Sequence, residues 1–184
     1  MDNKLKLIKL LKKIKEDKLK EIIKIRDINN NEDLIIKGIL FDNESICYHD
    51  YKKIEDVVTG LMVSADNYGI YYNDEFIGII SVYYQYYKDL TRLELSICIN
   101  KDYRSIGVGS ICYEFIIDNY FKKDNVKSIH LSIREDNVKS RLLAEKYEFK
   151  IYTGYKCDNY FNDINGNTFS QVQYLLKKKD YKKY

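Results

Sequence analysis

A strand that runs through a glycine-containing turn into an apolar helix is the feature that most constrains this chain. Residues 91–99, TRLELSICI, carry leucine or isoleucine at every odd position from 93 onward, which is typical of a strand with one buried face. The turn Tyr103–Ser110, YRSIGVGS, follows, and residues 111–123 then have apolar residues at helical spacing. This succession favours a mixed α/β layout.

The turn has the composition of an anion-binding site. The first amides of a helix have no partner within the helix, and the helix dipole is positive at that end. Glycines at 107 and 109 would let the backbone approach an anion closely, and Arg104 would add a fork of donors. The segment has neither the Lys-Ser/Thr of a Walker A loop nor the third glycine of a dinucleotide fingerprint. Taken alone, an ordinary glycine turn beside a surface arginine explains it as well.

The other segments predict further strands and helices around this unit. A short strand is expected over 4–10, although the same residues also fit a helix. Further predicted strands cover residues 68–72, 75–87, 128–133, 149–156 and 168–178, with a hairpin turn at Asn73-Asp74. Predicted helices cover residues 14–28, 51–62 and 135–149. No linker or repeat interrupts the chain, so we expect one domain over residues 1–184.

Composition excludes several functional classes. The net charge of +3, from 31 basic and 28 acidic residues, is too small to predict nucleic-acid binding. The four cysteines form no CxxC pair and the chain has only His49 and His130, so we predict neither a metal site nor a disulfide framework, and a cytoplasmic location. The N-terminal apolar residues are interrupted by lysines. We expect no signal peptide and no membrane partner there, with a basic interfacial helix as the alternative.

Two motifs together resemble a known family, the GNAT superfamily of acetyl-CoA-dependent N-acetyltransferases. The turn matches that family's pyrophosphate motif, Gln/Arg-x-x-Gly-x-Gly/Ala, through Arg104, Gly107 and Gly109. A second motif follows in NVKSRLLAEKYEF, through Asn137, Ser140, Glu145, Lys146 and Phe149. The ending DINGN…YLLKKKDY is similar to the RimJ/RimL-type branch, which acetylates ribosomal-protein N-termini, and to spermidine acetyltransferases. The resemblance covers residues 68–181.

The resemblance implies a fold and a cofactor. The GNAT fold has a mixed, mostly antiparallel central sheet, flanked by helices, in which the fourth and fifth strands splay apart around acetyl-CoA. It implies that the backbone of Ile97, Cys98 and Ile99 holds the pantetheine arm and that Asn137 hydrogen-bonds the cofactor. It assigns the pyrophosphate to loop residues Arg104, Ser105, Ile106, Gly107, Val108, Gly109 and Ser110.

The implied chemistry is direct attack of a neutral amine on the thioester. Glu94, on the polar face of its strand, is the candidate base. Many family members carry a tyrosine that protonates the departing sulfur, but this chain has Ala144 there. Ser140, one helical turn earlier, is the weak substitute, and Tyr147 projects elsewhere.

The predicted activity is therefore transfer of acetyl from acetyl-CoA to a primary amine, either a protein N-terminus or a small amine. Two alternatives stay open: an acetyl-CoA-binding protein with little transfer activity, and a polyamine acetyltransferase. The sequence is compatible with a monomer or a homodimer.

Overall fold

The structure is a computed structural model that describes residues 2–41, 54–87, 90–154, 160–162 and 167–181. The helices are α1 (Asp2–Ile22), α2 (Glu32–Leu40), α3 (Ile54–Ser64), α4 (Val108–Tyr120) and α5 (Val138–Lys146). The strands are β1 (Ile23–Asp27), β2 (Ala65–Tyr72), β3 (Glu75–Tyr87), β4 (Leu90–Ile99), β5 (Val126–Arg134), β6 (Lys150–Ile151), β7 (Tyr160–Asn162) and β8 (Thr168–Lys177).

The strands form a mixed, mostly antiparallel sheet, as the resemblance implied. Their order is β1-β2-β3-β4-β5-β8-β6, and β7 pairs with β8. The β4–β5 pair is parallel, whereas the neighbouring pairs β3–β4 and β5–β8 are antiparallel. The crossover between the two parallel strands is the turn and α4, as a parallel connection requires. The start of α4 therefore lies at the end of β4.

The fourth and fifth strands part halfway along their length. Their register runs from Thr91–Val126 to Glu94–His130. Beyond that point β4 continues to Ile99 paired with β3, and β5 continues paired with β8. The splayed gap predicted between the fourth and fifth strands is thus confirmed, and it opens at Glu94.

Two apolar layers cover the two faces of the sheet. The larger cluster joins α4 and α5 to one face, through buried residues such as Leu93, Leu95 and Ile116. The smaller cluster joins α2 and α3 to the other face, where Cys98 packs against it. Alternation along β4 therefore places Leu95, Ile97 and Ile99 toward α4 and α5, with Glu94, Ser96 and Cys98 on the α2 and α3 side.

The N-terminal prediction was partly wrong. Residues 2–22 form one helix, so the strand expected over 4–10 is absent and its helical alternative is correct. The helix expected to continue to residue 28 ends at Ile22, because Ile23–Asp27 form strand β1. This strand pairs antiparallel with β2, with Ile23 opposite Tyr72 and Asp27 opposite Tyr68. Helix α2 was not predicted. The side chain of Asn31 caps it by accepting from the amide of Leu34 at 3.0 Å.

The middle of the chain follows the prediction closely. Strand β3 has the predicted bounds, and Asn73 and Asp74 have φ of 47° and 64°, the left-handed values that a tight hairpin requires. Helix α4 begins at Val108 and helix α5 at Val138. Residues 51–53, 155–156 and 163–166 of the predicted elements, and His49, lie outside the described residues.

Candidate functional site

The turn before α4 has the backbone geometry of an anion cradle. Ser105 and Gly107 both have positive φ, 65° and 111°, and Gly107 is the N-cap of α4 without a side-chain cap bond. In the described part of the chain, the amides of Val108 and Gly109 have no acceptor. These first-turn donors point away from the helix at its positive end, which is the arrangement that binds phosphate groups.

Three cationic side chains surround this turn. Lys139, in the first turn of α5, donates to Ser105 Oγ at 3.1 Å, and Lys146 donates to Ser110 Oγ at 3.1 Å. The Arg104 guanidinium donates from Nε to the Ile99 carbonyl at 2.7 Å. The predicted loop therefore lies in a basic environment, to which α5 contributes two lysines that the motif did not indicate.

Alternate residues of β4 direct their backbone amide and carbonyl groups toward the gap. The amide of Asn100 donates to the Ile77 carbonyl on β3 at 2.8 Å. Because backbone groups alternate in direction along an antiparallel strand, Cys98 also faces β3, while Ile97 and Ile99 face the gap. Of the three strand residues predicted to hold a pantetheine arm, Ile97 and Ile99 direct their backbone groups toward the gap, where the Ile99 carbonyl accepts from Arg104 Nε. The Cys98 thiol lies 3.8 Å from the Ile39 carbonyl.

Helix α5 presents its start to the turn and buries the position of the family's tyrosine. Asn137 caps the helix, since its Oδ1 accepts from the Ser140 amide at 3.2 Å, and its side-chain amide still has donors for a ligand. Ala144 is fully buried, with 0% exposure. The Tyr147 hydroxyl lies 3.0 Å from both the Ser110 carbonyl and Glu114 Oε1, and its one hydrogen is donated to either of these acceptors. Burial raises its pKa, so it stays protonated, bound to α4.

Glu94 is the centre of a polar cluster on the opposite face of the sheet. Gln85 of β3 donates to Glu94 Oε2 at 2.6 Å, and Ser132 of β5 lies 3.2 Å from Glu94 Oε1. The Ser132 hydroxyl is also 2.9 Å from Gln173 Oε1 on β8. Side chains of two strands thus hold the carboxylate at the point where β4 and β5 part, and Gln173 of a third strand holds Ser132.

The hydroxyl of Ser132 connects two acceptors with a single hydrogen. It donates either to the carboxylate of Glu94 or to Gln173. When Glu94 is protonated, its proton can bond Ser132 Oγ, which then donates to Gln173. Each protonation state of Glu94 therefore has hydrogen-bonding partners, as a group that exchanges protons requires.

His130 lies beside this cluster and is neutral at pH 7. It is opposite Glu94 in the β4–β5 register and only 2% exposed. Burial and the charge of Arg92 lower its pKa from 6.5 to about 4, although a hydrogen bond with Gln173 opposes them.

The polar residues around Glu94 were not predicted as site residues. Gln85, Ser132 and Gln173 meet only through the register of strands far apart in sequence. One feature of the sequence could have indicated Ser132. It lies two residues after His130 in an alternating strand, so the two side chains share a face of the sheet.

The site therefore has two sides joined by the gap. On the α4 and α5 side, the turn offers amides and positive charge to a phosphate-bearing ligand. On the α2 and α3 side, Glu94 can accept a proton from a second ligand. The edge of β4 that has parted from β5, at Ile97 and Ile99, lies between them.

Comparison with solved structures finds the same fold in several acetyltransferases. The N-terminal acetyltransferase of ribosomal protein L7/L12 from Salmonella typhimurium is 15% identical with TM-score 0.65, covering 85% of this chain and 95% of that one. NAA60 from Arabidopsis thaliana, solved with acetyl-CoA, is 13% identical with TM-score 0.65 and coverage of 84% and 98%. Spermidine/spermine N-acetyltransferase SpeG from Vibrio cholerae is 16% identical with TM-score 0.68 and coverage of 88% and 96%.

Family assignment rests on the sequence. A search of curated proteins found no match. The model of the acetyltransferase (GNAT) family, however, matches residues 36–149, which is more than half of the chain. This segment contains the turn, the splayed strands and Glu94. The chain belongs to the acetyltransferase (GNAT) family.

Proposed function

We propose that this protein transfers the acetyl group of acetyl-CoA to a primary amine. The observation that carries the proposal is the gap between β4 and β5, with an anion-binding turn on one face of the sheet and a held carboxylate on the other. Acetyl-CoA would approach from the α4 side and the amine from the α2 and α3 side. The two substrates would then meet beside β4.

The cofactor would be bound mainly by backbone groups. The amides of residues 105–109 would receive the pyrophosphate, with charge supplied by Lys139 and Lys146. The pantetheine arm would pair with Ile97 and Ile99 as an added strand. Asn137 would bond the cofactor from the start of α5. Arg104 would act chiefly by holding the turn against the Ile99 carbonyl.

The reaction requires removal of a proton from the amine. An ammonium group has no lone pair, so Glu94 would accept that proton, directly or through a water molecule. The amine nitrogen then attacks the thioester carbon, and backbone amides of β4 stabilise the oxyanion. The C–S bond breaks and the thiolate of CoA leaves, while the second proton of the attacking nitrogen passes to that thiolate or to water, which gives the neutral amide. A thiol of ordinary pKa, near 8.5, is a tolerable leaving group without an acid, and Ser140 is the substitute hydroxyl that the resemblance offers.

The surroundings of Glu94 favour an acceptor with one amine. The described side chains that bond it, Gln85 and Ser132, are neutral, the charge that acts on the adjacent His130 is the positive one of Arg92, and the described residues contain no cluster of three acidic or other metal-binding groups. A polyamine carries several positive charges and would need several carboxylates. A protein N-terminus carries one, with a pKa of about 8 that makes its deprotonation easier than that of a lysine side chain.

A second candidate is an acetyl-CoA-binding protein with little transfer activity. The buried Ala144 favours it, since no tyrosine of α5 reaches the gap from that position. Release of free thiol from acetyl-CoA distinguishes the two functions. With a panel of small monoamines, spermidine and peptides with free N-termini, the proposed enzyme releases thiol only when its acceptor is present.

The cofactor assignment is tested with a truncated ligand. S-acetylpantetheine retains the thioester and the arm but lacks the pyrophosphate, so we expect its Kd to be at least about 100-fold weaker than that of acetyl-CoA, a loss equivalent to about 3 kcal/mol. Calorimetry measures both. Equal affinities would show that the turn does not bind the pyrophosphate.

The base is tested with Glu94→Gln, which keeps the shape of the side chain. We expect kcat to fall about 100-fold or more, with KM for acetyl-CoA within a factor of two, because general-base catalysis supplies about 10²–10⁴. Glu21→Gln, an exposed carboxylate at the end of α1, is the matched control and keeps full activity. An unchanged kcat in Glu94→Gln would exclude Glu94 as the base.

A further inference from the structure

Helix α1 contacts the rest of the protein near its C-terminal end. There, Leu19 lies against Gly107 of the turn before α4, and Lys20 forms a 2.6 Å ion pair with Glu114 of α4. Three apolar side chains nearer the N-terminus are uncovered. Leu10, Leu11 and Ile14 are 55%, 58% and 43% exposed.

These three residues lie on one side of the helix. At 100° per residue they fall within an arc of about 100°, while Lys12 and Lys13 lie about 150° and 110° from its middle. Residues 4–15 contain six lysines and no acidic residue, and acidic side chains enter the helix at Glu16 and Asp17. The part of the helix with only basic charges thus precedes, along the chain, the part that contacts α4 and the turn.

We propose that α1 binds the surface of an anionic lipid bilayer and lies flat in its interface. Leu10, Leu11 and Ile14 would enter the boundary between headgroups and acyl chains, and the lysines would contact lipid phosphates and carboxylates. No helix in the described ranges is long and apolar enough to span a membrane, so the helix would lie on the bilayer. The sequence predicted a strand in this segment, with a basic interfacial helix as the alternative. Because the segment is a single helix, the interfacial helix is the better explanation.

The charge of α1 favours an anionic bilayer over a second copy of the helix or a nucleic acid. A second copy of α1 against the same face would bring two lysine-rich segments together, and like charges would oppose that contact. A nucleic acid would use the lysines but leave the three apolar residues in water. An anionic bilayer would bury the apolar side chains on one side of the helix and pair its charged headgroups with the lysines. This inference does not depend on the proposed transfer activity, because vesicle binding is measured without either substrate.

A tryptophan reporter tests the depth and direction of binding. The chain contains no tryptophan, so Leu10→Trp gives a single signal on the apolar side. Glu16→Trp, about 170° around the helix from the middle of the apolar arc, keeps all six lysines and is the matched control. With vesicles of phosphatidylcholine and phosphatidylglycerol, emission of Leu10→Trp shifts to the blue and is quenched by brominated acyl chains. Emission of Glu16→Trp stays at its value in buffer.

Sedimentation with the same vesicles tests the charge. Lys12→Gln with Lys13→Gln weakens partitioning about 30-fold, since two charges near the surface are lost. Lys122→Gln with Lys179→Gln, exposed lysines outside α1, leaves partitioning unchanged. Absence of sedimentation, equal loss in both pairs, or equal binding to vesicles of phosphatidylcholine alone would overturn the proposal. So would retention on duplex RNA with no vesicle binding, which would assign the helix to nucleic acid.

Discussion

Acidification from pH 7 to pH 5 should destabilise this protein through His130. The folded state holds this side chain neutral, because burial and the nearby charge of Arg92 lower its pKa from 6.5 to about 4. In the unfolded chain the same imidazole has its ordinary pKa and binds a proton as the pH falls below about 6.5. The unfolded state therefore binds more protons than the folded state in this range, and the free energy of unfolding decreases as the pH falls.

The size of the effect follows from the two pKa values. Between pH 7 and pH 5 the unfolded imidazole goes from mostly neutral to almost fully charged, while the folded one stays about nine-tenths neutral. Linkage gives a loss of about 2 kcal/mol in the free energy of unfolding over this interval. The loss continues toward pH 4 and levels off below it, where both states carry the proton.

Urea denaturation of the wild type and of His130→Gln at both pH values measures this contribution. The variant should lose about 2 kcal/mol less than the wild type between pH 7 and pH 5. The chain has one other histidine, and His49→Gln measured in parallel separates any contribution of that residue from the contribution of His130. Equal pH dependence in the wild type and His130→Gln would refute the reasoning, because His130 would then titrate normally in the folded protein.

Three substitutions test the packing around the cofactor turn and α5. Gly107→Ala places a side chain at φ 111°, with its Cβ 3.0 Å from Leu19, and should lower the free energy of unfolding by about 1–2 kcal/mol in urea; an unchanged midpoint would show that the turn relaxes freely. Tyr147→Phe removes the hydroxyl bonded to Ser110 and Glu114 and should cost about 1 kcal/mol in the same assay, with kcat unchanged. A large loss of kcat would instead make this hydroxyl the acid. Ala144→Tyr overfills a fully buried position and should lower stability by about 1–3 kcal/mol without raising kcat, as a scan of Tm and a rate assay would measure; a faster enzyme would mean that the side chain reaches the gap.

The parts of the fold that were predictable are those encoded locally. The turn at Asn73-Asp74 carries residues that tolerate positive φ, and it is flanked by two apolar runs that can pair with each other. Strand β4 shows its buried face in every second residue, and the glycines after it mark the start of α4. In each case neighbouring residues contain the information.

The N-terminal region shows what local patterns cannot distinguish. Leu19, Ile22 and Ile23 have helical spacing, yet the helix ends at Ile22. What changes the conformation is the pairing of Ile23 with Tyr72, about 50 residues away. The helical spacing of the apolar residues carries no information about that contact, and the tertiary pairing overrides the local preference for helix.

The candidate site also has one part that the sequence indicated and one part that it did not. The turn and Asn137 are visible as motifs, because a phosphate-binding loop and a helix cap are each formed by consecutive residues. The support of Glu94 is not, since Gln85, Ser132 and Gln173 come from three strands whose register is set by the whole sheet. The sequence therefore indicated the carboxylate but not the groups that hold it.

Transfer of a labelled acetyl group tests the central claim most directly. The protein would be incubated with acetyl-CoA carrying ¹³C in the acetyl group and with the panel of monoamines, spermidine and N-terminal peptides, and products would be analysed by mass spectrometry. We expect one labelled acetyl group on a primary amine of a singly charged acceptor, and a loss of that product in Glu94→Gln. Binding of acetyl-CoA with no labelled product from any amine would contradict it.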